Sequence, residues 1–148
     1  MIEVCCAIII EDSKILAAQR GPESSHPWKW EFPGGKIQSD ETAAQCIIRE
    51  IDEELRLRIE VLKQLEYIEF DYGSKHIRLI PFICRIVSGD IILTEHLAKC
   101  WFVFDQWQTI DWSDADFELI LKNQERIRME IRLKRLIDGF FISSNAEK

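Results

Sequence analysis

The order of apolar and polar residues along the first part of the chain predicts β-structure. Residues Glu3–Ile10 are apolar and rich in β-branched side chains, the polar stretch 11–14 follows, and Ile15–Ala18 is apolar again. Two such runs separated by a short polar turn predict a β-hairpin. The same signals predict further strands at 59–72, 76–87, 91–93 and 101–104, with turns at Pro33-Gly34-Gly35, Gly73-Ser74 and Ser88-Gly89.

Between these strands the apolar period changes to that of a helix. Thr42 is followed three residues later by Gln45, which is a capping-box pattern, so a helix is predicted to begin at Thr42. Apolar residues then recur every three or four positions, as one face of an α-helix requires. The residues of this stripe are Ala44, Ile47, Ile48, Ile51 and Leu55.

The C-terminal part of the chain predicts a second helix. Ser113 is a residue type favoured at the N-cap, and a helix is predicted from there through Leu121. In the C-terminal extension, residues 122–148, apolar and charged residues alternate over positions 127–134 as in a strand, but they are strong helix formers, so we predict a helix. Strands and helices mix without regular βαβ alternation. This pattern predicts one α+β domain over residues 1–148, a mixed β-sheet sandwich between helices.

The net charge and the length of the apolar runs limit which classes of partner the protein can bind. The chain has 19 basic and 26 acidic residues, a formal net charge of −7. This balance argues against a nucleic-acid polymer as partner, because such surfaces are basic, whereas a small anion remains compatible if a metal ion accompanies it. No apolar run approaches the roughly 20 residues of a membrane span, and no signal-peptide pattern is found at the N-terminus. We therefore expect a cytoplasmic protein with no membrane partner.

The five cysteines do not form a recognisable metal or disulfide pattern. They occupy positions 5, 6, 46, 84 and 100, an odd number without paired C-x-x-C spacing. A catalytic thiol would need a partner such as a histidine, and nothing in the sequence connects one to a cysteine. The cysteines are therefore predicted to be reduced residues of the core.

Three carboxylates are the first candidates for chemistry. Glu50, Glu53 and Glu54 have the i, i+3, i+4 spacing that places them on one face of the predicted helix. Taken alone, this pattern also fits a solvated helix surface. Their mutual repulsion would be removed by a hard divalent cation such as Mg²⁺, which prefers oxygen ligands and is commonly held by carboxylates together with phosphate oxygens. A metal-bound water could then attack phosphorus.

These glutamates belong to a longer frame of Gly35, five residues, Glu41, seven residues and the run Arg49–Glu54. The frame resembles the box of the Nudix hydrolase family, G-x5-E-x7-R-E-U-x-E-E-x-G-U, in which U is a bulky apolar residue. Leu57 completes the match, and Arg56 stands where the family has glycine. Glycine would take the left-handed C-cap conformation, so Arg56 is expected to cost about 1 kcal/mol of strain or to end the helix differently.

The resemblance implies a Nudix-type sandwich and a divalent metal cofactor, Mg²⁺ with Mn²⁺ as an alternative. It assigns Glu50, Glu53 and Glu54 as metal ligands, with one of them also acting as general base, and it favours Glu53 and Glu54 as principal ligands. The backbone carbonyl of Gly34 would be a further ligand, and Glu95, on a later loop, would complete the site. A loop glutamate such as Glu95 is also commonly only solvated.

The box also implies a structural ion pair. Glu41 precedes the capping Thr42 and is free to fold back towards Arg49. By resemblance, this pair fixes the preceding loop against the helix and belongs to the catalytic set without touching the metal.

The segment Trp30–Ile37 resembles the MutT-like branch of the family, and similarity to that branch extends from Val4 to Leu121. The branch hydrolyses nucleoside triphosphates to the monophosphate and pyrophosphate. The substrate-binding residues implied by the branch are Arg20, Phe32, Lys36 as a phosphate contact, and Asp116. Phe32 could also be a core residue and Lys36 an ordinary exposed lysine, and Asp114 competes with Asp116 for the same role.

The leading hypothesis is a metal-dependent nucleoside triphosphate pyrophosphohydrolase. Its substrate would be a small nucleotide of the 8-oxo-dGTP or CTP/dCTP type. One alternative is the hydrolysis of another diphosphate, such as ADP-ribose or a dinucleoside polyphosphate. Another is a non-catalytic nucleotide-binding module, although a pure binding site would not need all three carboxylates. The C-terminal extension leaves a homodimer open.

Overall fold

The computed structural model describes residues 1–146, and the side chains of residues 1–140. The strands are β1 (Ile2–Glu11), β2 (Lys14–Gln19), β3 (Trp30–Glu31), β4 (Gly34–Lys36), β5 (Arg58–Gln64), β6 (Ile68–Asp71), β7 (His76–Ser88) and β8 (Ala98–Val103). The helices are α1 (Ala43–Leu55), a 3₁₀ helix (Phe104–Thr109) and α2 (Asp114–Ala146). None of these helices is long and apolar enough to cross a membrane.

Strand β1 is the centre of the mixed sheet. It runs parallel to β7, from Ile2 paired with Ile77 to Ile9 paired with Cys84, and antiparallel to β4 on its other side. At its end it turns into β2, which pairs with β3 and β8, whereas β5 and β6 pair with β7. A parallel pair needs a long crossover connection, and α1 lies within the one that joins β1 to β7.

Alternate residues of β1 face two separate cores. Cys5, Ala7 and Ile9 pack with the apolar face of α1, because successive side chains of a strand point to opposite faces. Their neighbours Cys6, Ile8 and Ile10 pack with residues of α2. The sheet is therefore enclosed between two helices, and the α+β sandwich predicted from the sequence is confirmed.

Helix α1 has the predicted start. Thr42 Oγ1 accepts a hydrogen bond from the Gln45 backbone N–H, and the Gln45 side chain accepts one from the Thr42 N–H. At the other end, Arg56 adopts the left-handed conformation with φ 57°, and its N–H donates to the Asp52 carbonyl. The helix therefore ends in the left-handed conformation that glycine favours, although the residue there is an arginine with a Cβ.

Replacing Arg56 by Gly is expected to raise the free energy of unfolding by about 1 kcal/mol, because the left-handed conformation carries no Cβ penalty in glycine. Urea unfolding would measure this gain. Arg56→Ala is the matched control, since it removes the guanidinium and keeps the Cβ. An equal gain in both variants would show that the side chain, and not the backbone, carries the strain.

Two predicted strands are wrong in detail. The run 59–72 is divided into β5 and β6 because Asn123 of α2 binds the backbone N–H and carbonyl of Glu66 at the break. Residues 91–93 form no strand, since the Ile92 N–H donates to the Leu55 carbonyl and the segment closes the end of α1 instead. Both departures depend on tertiary contacts that local residue patterns do not show.

The predicted turn at Pro33-Gly34-Gly35 is also wrong. Gly34 and Gly35 belong to β4 and pair with Cys6 and Cys5 of β1. Their lack of side chains serves close packing, because a Cβ at Gly34 would overlap the Cys5 carbonyl oxygen, and a Cβ at Gly35 would overlap the carboxylate of Glu50. The double glycine therefore lets the strand lie directly against β1 and α1.

The second predicted helix and the C-terminal extension form the single helix α2. Ile127 and Ile131 are buried in the same core as Leu119, so the helix-forming residue types prevail over the strand-like alternation. Residues 147–148 lie outside the described part of the chain. Ser113 precedes the helix, but its buried hydroxyl makes no hydrogen bond, so the predicted side-chain cap is absent.

The five cysteines are free thiols, and four of them are buried. Burial raises the pKa of Cys84 to about 12 and the pKa of Cys6 well above its ordinary value. Such thiols carry little thiolate at neutral pH. The prediction of reduced core cysteines is confirmed for these four, whereas Cys100 is half-buried. Cys5 and Cys46 form a close contact between β1 and α1, with 2.7 Å between their sulfurs.

Candidate active site

The three glutamates of α1 lie on one face of the helix but in different environments. The Glu53 side chain is 57% exposed and the Glu50 side chain 15% exposed, whereas Glu54 is buried. The Glu54 Oε2 atom is buried without any hydrogen-bond partner. A buried carboxylate oxygen without a partner is costly, so this atom is suited to bind a cation or a proton.

Arg49 holds this group of carboxylates in place. Its guanidinium binds both oxygens of Glu41 at 2.9 and 2.6 Å, Glu50 at 2.9 Å and Glu53 at 3.2 Å. It also donates to the Lys36 carbonyl of β4 at 3.3 Å. The hydrogen bonds from Arg49 lower the pKa of Glu41 to about 2. One guanidinium therefore connects the loop before α1, the strand β4 and two of the candidate ligands.

The loop before β8 brings a fourth carboxylate to the same place. Thr94 Oγ1 donates to the carbonyls of Glu53 and Glu54, and the Thr94 N–H donates to the Glu54 carbonyl at 3.1 Å. These contacts satisfy carbonyl groups that every helix leaves unpaired at its C-terminus. They also fix Glu95, the next residue, beside the acidic face of α1.

Burial and the negative charges of Glu95, Glu50 and Glu31 raise the pKa of Glu54 to about 9. Without a counter-charge, Glu54 therefore holds a proton at neutral pH. The all-oxygen donor set suits a hard divalent cation, which would replace that proton. Among the residues that the structure describes, no three acidic, His or Cys side chains are close enough together to form a metal site. The carboxylates thus share one face of α1 without converging on a single point, and Arg49 holds Glu50 and Glu53 in their present positions.

A cavity of about 200 Å³ opens beside this group, between the sheet and the start of α2. Cys6, Ile77 and Leu79 form part of its apolar wall, and Tyr72 and His26 stack at 4.5 Å beside it. Four residues assigned to the substrate and one assigned to the metal line this single cavity. They are Arg20, Phe32, Lys36 and Asp116, together with Gly34.

Glu31 connects the cavity to the acidic group. Its carboxylate binds Arg20 at 2.8 Å on one side and His96 Nε2 at 2.9 Å on the other. Burial would raise the pKa of Glu31, but the hydrogen bond from His96 and the charge of Arg20 outweigh burial and lower it. Glu31 therefore stays ionised, orients Arg20 in the cavity and adds negative charge beside Glu54.

Asp116 is buried at the start of α2, and one of its oxygens accepts a hydrogen bond from the Phe32 N–H at 2.9 Å. Burial and the charge of Glu31 raise the pKa of Asp116 well above its ordinary value. A protonated carboxyl can donate as well as accept a hydrogen bond. Asp114, the competing residue, is exposed and does not line this cavity. The geometry therefore favours Asp116 over Asp114.

The matches with known proteins agree with this geometry. The sequence model of the NUDIX domain family matches residues 1–122. The chain belongs to the NUDIX family. Membership of the family and the assignment as a Nudix hydrolase, both predicted from the glutamate box, are thereby confirmed. The matched range includes the box, both strands of the first hairpin and the start of α2. Nudix proteins generally use divalent metal cations and act on small nucleotide molecules.

Individual relatives resemble this Nudix chain over most of their length. The CTP pyrophosphohydrolase of Escherichia coli K12 is 33% identical over 81% of this chain and 89% of its own. A putative 8-oxo-dGTP diphosphatase 2 of Mycobacterium tuberculosis is 28% identical over 76% of this chain and 81% of its own. The solution structure of the E. coli ORF135 protein superimposes with a TM-score of 0.72 at 31% identity, covering 91% and 93% of the two chains.

Two residues of the Nudix site were not among those singled out from the sequence. Glu31 was passed over although it lies inside the segment that resembles the MutT-like branch, and its strand position, between Trp30 and Phe32, predicts that it faces away from both. His96 gave no signal, because its side chain is oriented by the loop that Thr94 holds against α1. Its Nδ1 atom is buried without a partner, whereas its Nε2 atom contacts Glu31.

Asp116→Asn is expected to raise the melting temperature of the metal-free protein more at pH 8 than at pH 5. The folded-state pKa of Asp116 is raised, so its stabilising contribution is complete below the unfolded-state pKa and is lost as the pH rises through the folded-state pKa. Asparagine does not titrate. Asp114→Asn is the exposed control and should give equal shifts at both pH values. An Asp116→Asn shift that does not depend on pH would contradict the raised pKa.

Proposed function

We propose that this Nudix protein hydrolyses a nucleoside triphosphate, with Mg²⁺ as cofactor, to the nucleoside monophosphate and pyrophosphate. The observation that carries the proposal is the unpartnered carboxylate oxygen of Glu54, buried among other carboxylates. Glu31 links this group to a cavity with its own polar side chains. The similarity to a CTP pyrophosphohydrolase and to an 8-oxo-dGTP diphosphatase supports a triphosphate substrate of the CTP/dCTP or the 8-oxo-dGTP type.

In this proposal the metal would be held by Glu50, Glu53 and Glu54, with Glu95 and the Gly34 carbonyl as further ligands. Bound there, a divalent cation would neutralise phosphate charge and would lower the pKa of a coordinated water. The carboxylates hold the anionic phosphate chain only in the company of that cation, because alone they repel it. A carboxylate of the group that is not shielded by Arg49 is suited to accept the proton of the attacking water.

The cavity residues would select and orient the nucleotide. Arg20, oriented by Glu31, presents guanidinium N–H donors, and Asp116 presents a carboxyl group that donates or accepts according to its protonation. Phe32 is a core residue whose ring packs on Trp112 at 4.9 Å, and it forms part of the wall rather than a free stacking platform. Lys36 is exposed at the edge of the cavity, and in this proposal it would contact a phosphate.

The experiment is a product assay with a panel of nucleotides that contains CTP, dCTP, 8-oxo-dGTP, ADP-ribose and a dinucleoside polyphosphate. Each is incubated with the protein and Mg²⁺, and the products are separated by ion-exchange chromatography. We expect equal amounts of monophosphate and pyrophosphate from one triphosphate, and no product after chelation. A Glu54→Gln preparation controls for contaminating hydrolases.

Other outcomes would replace the proposal. Turnover of ADP-ribose or the dinucleoside polyphosphate, with all triphosphates inert, would agree with metal-dependent hydrolysis but contradict the proposed triphosphate substrate. Nucleotide binding without any turnover would make the protein a nucleotide-binding module.

A further inference from the structure

A second polar pocket, of about 230 Å³, lies between α2 and the turn that joins β1 to β2. It shares no lining residue with the candidate active site: Cys6 of the first cavity lies in the middle of β1, whereas Ser13 of the second pocket lies in the turn after that strand. Besides Ile131 of α2, the pocket is lined by Ser13, Val103, Phe104, Asp105, Arg128, Arg132 and Arg135.

The three arginines lie on one face of α2, at positions i, i+4 and i+7. Arg128 contacts Asp105 at 3.7 Å and Glu125 at 3.1 Å, and both of these carboxylates are more than 80% exposed. Arg132 and Arg135 have no carboxylate within 4.0 Å among the described side chains. A chain with a net charge of −7 thus gathers three guanidinium groups around one pocket with a single acidic residue in its lining.

The turn adds a hydroxyl to the pocket. Asp12 and Ser13 both have positive φ, 50° and 64°, in a turn without glycine. Arg135 Nε donates to Ser13 Oγ at 3.1 Å, which leaves the hydroxyl proton of Ser13 free for a further acceptor. Residues other than glycine in this conformation are uncommon, and here they place the hydroxyl beside Arg135.

We propose that this pocket binds a small phosphate-type oxyanion, inorganic phosphate or pyrophosphate. Guanidinium groups bind such oxyanions through paired N–H donors, and an anion would offset the repulsion between the three arginines. The inference does not depend on the proposed catalytic activity, because it concerns a different part of the molecule.

The test is a titration of the metal-free protein with inorganic phosphate and, separately, with pyrophosphate, in the presence of a chelator. Without a metal, the acidic group on α1 repels both anions, and assigned arginine signals distinguish this pocket from Arg20 of the candidate active site. Binding is followed through the Nε–Hε NMR signals of the arginines. We expect saturable shifts for the pocket arginines with at least one anion, and an affinity at least tenfold lower in an Arg132→Gln/Arg135→Gln variant.

Arg126→Gln is the matched control, because Arg126 is exposed on the same helix and does not line the pocket. Its affinity should change less than twofold. An equal loss of anion affinity in the control and in the double variant would show that only the overall charge of the protein matters, and it would overturn the proposal. Absence of saturable shifts with either anion would also overturn it, as would light scattering that shows a dimer lost in the double variant, since the arginines would then form an interface between two copies.

Discussion

Glu54→Gln is expected to lower kcat for the proposed substrate by about 10³-fold at saturating Mg²⁺, within the range that loss of a catalytic acid–base group or metal contact produces. The fold should be preserved. The raised pKa of Glu54, about 9, means that this residue is protonated in the metal-free protein at neutral pH, and glutamine resembles that neutral form in size. The variant therefore separates chemistry from folding.

Kinetics and thermal unfolding, measured on the same preparations, check this expectation. Mg²⁺ should raise the melting temperature of the wild type, because a cation that binds only the folded state stabilises it, and should do so less in Glu54→Gln. Asp52→Asn is the matched control, since Asp52 is exposed on the same helix and outside the ligand group. A Glu54→Gln variant with near wild-type kcat would remove Glu54 from the catalytic set.

Arg49→Lys is expected to lower the affinity for Mg²⁺ by about 10–100-fold, as loss of a hydrogen-bond partner of metal ligands does. A lysine keeps the charge, but its single ammonium group cannot reach Glu41, Glu50 and Glu53 together. Stability should fall as well, because Glu41 is then left without its two hydrogen bonds from Arg49.

Metal titration of activity, together with urea unfolding, measures both effects. Arg85→Lys provides the control, since Arg85 makes one exposed ion pair with Glu60 at 2.6 Å and its replacement should change stability by less than about 1 kcal/mol. If Arg49→Lys binds Mg²⁺ as tightly as the wild type, the guanidinium fixes only the loop before α1 and does not position the metal ligands.

The parts of the fold that could be predicted from the sequence are those fixed by local physics. The start of α1 depends on Thr42 and Gln45 alone, and the left-handed end at Arg56 depends on one backbone position. The ion pair between Glu41 and Arg49 lies within one short segment of chain, and the structure contains it. These features need no knowledge of distant residues.

The errors arise where distant parts of the chain meet. The break between β5 and β6 is made by Asn123, nearly sixty residues away, and the loop at 91–93 closes a helix that ends at Leu55. His96 is a site residue only because the same loop turns its ring towards Glu31. A local sequence pattern does not encode contacts between distant residues, so these features could be seen only in the structure.

The alternation of side chains along β1 divides the protein into two halves that share one strand. Odd-numbered positions such as Ala7 and Ile9 support the helix that carries the glutamates, whereas even-numbered positions such as Val4 and Cys6 form part of the wall of the candidate substrate cavity. If the cavity binds the nucleotide as proposed, substitutions on one side are expected to alter which base is accepted without displacing the carboxylates on the other. Such an arrangement allows a lineage to diversify its substrates while its hydrolytic machinery stays constant, and it marks the even positions as the place to begin redesigning specificity.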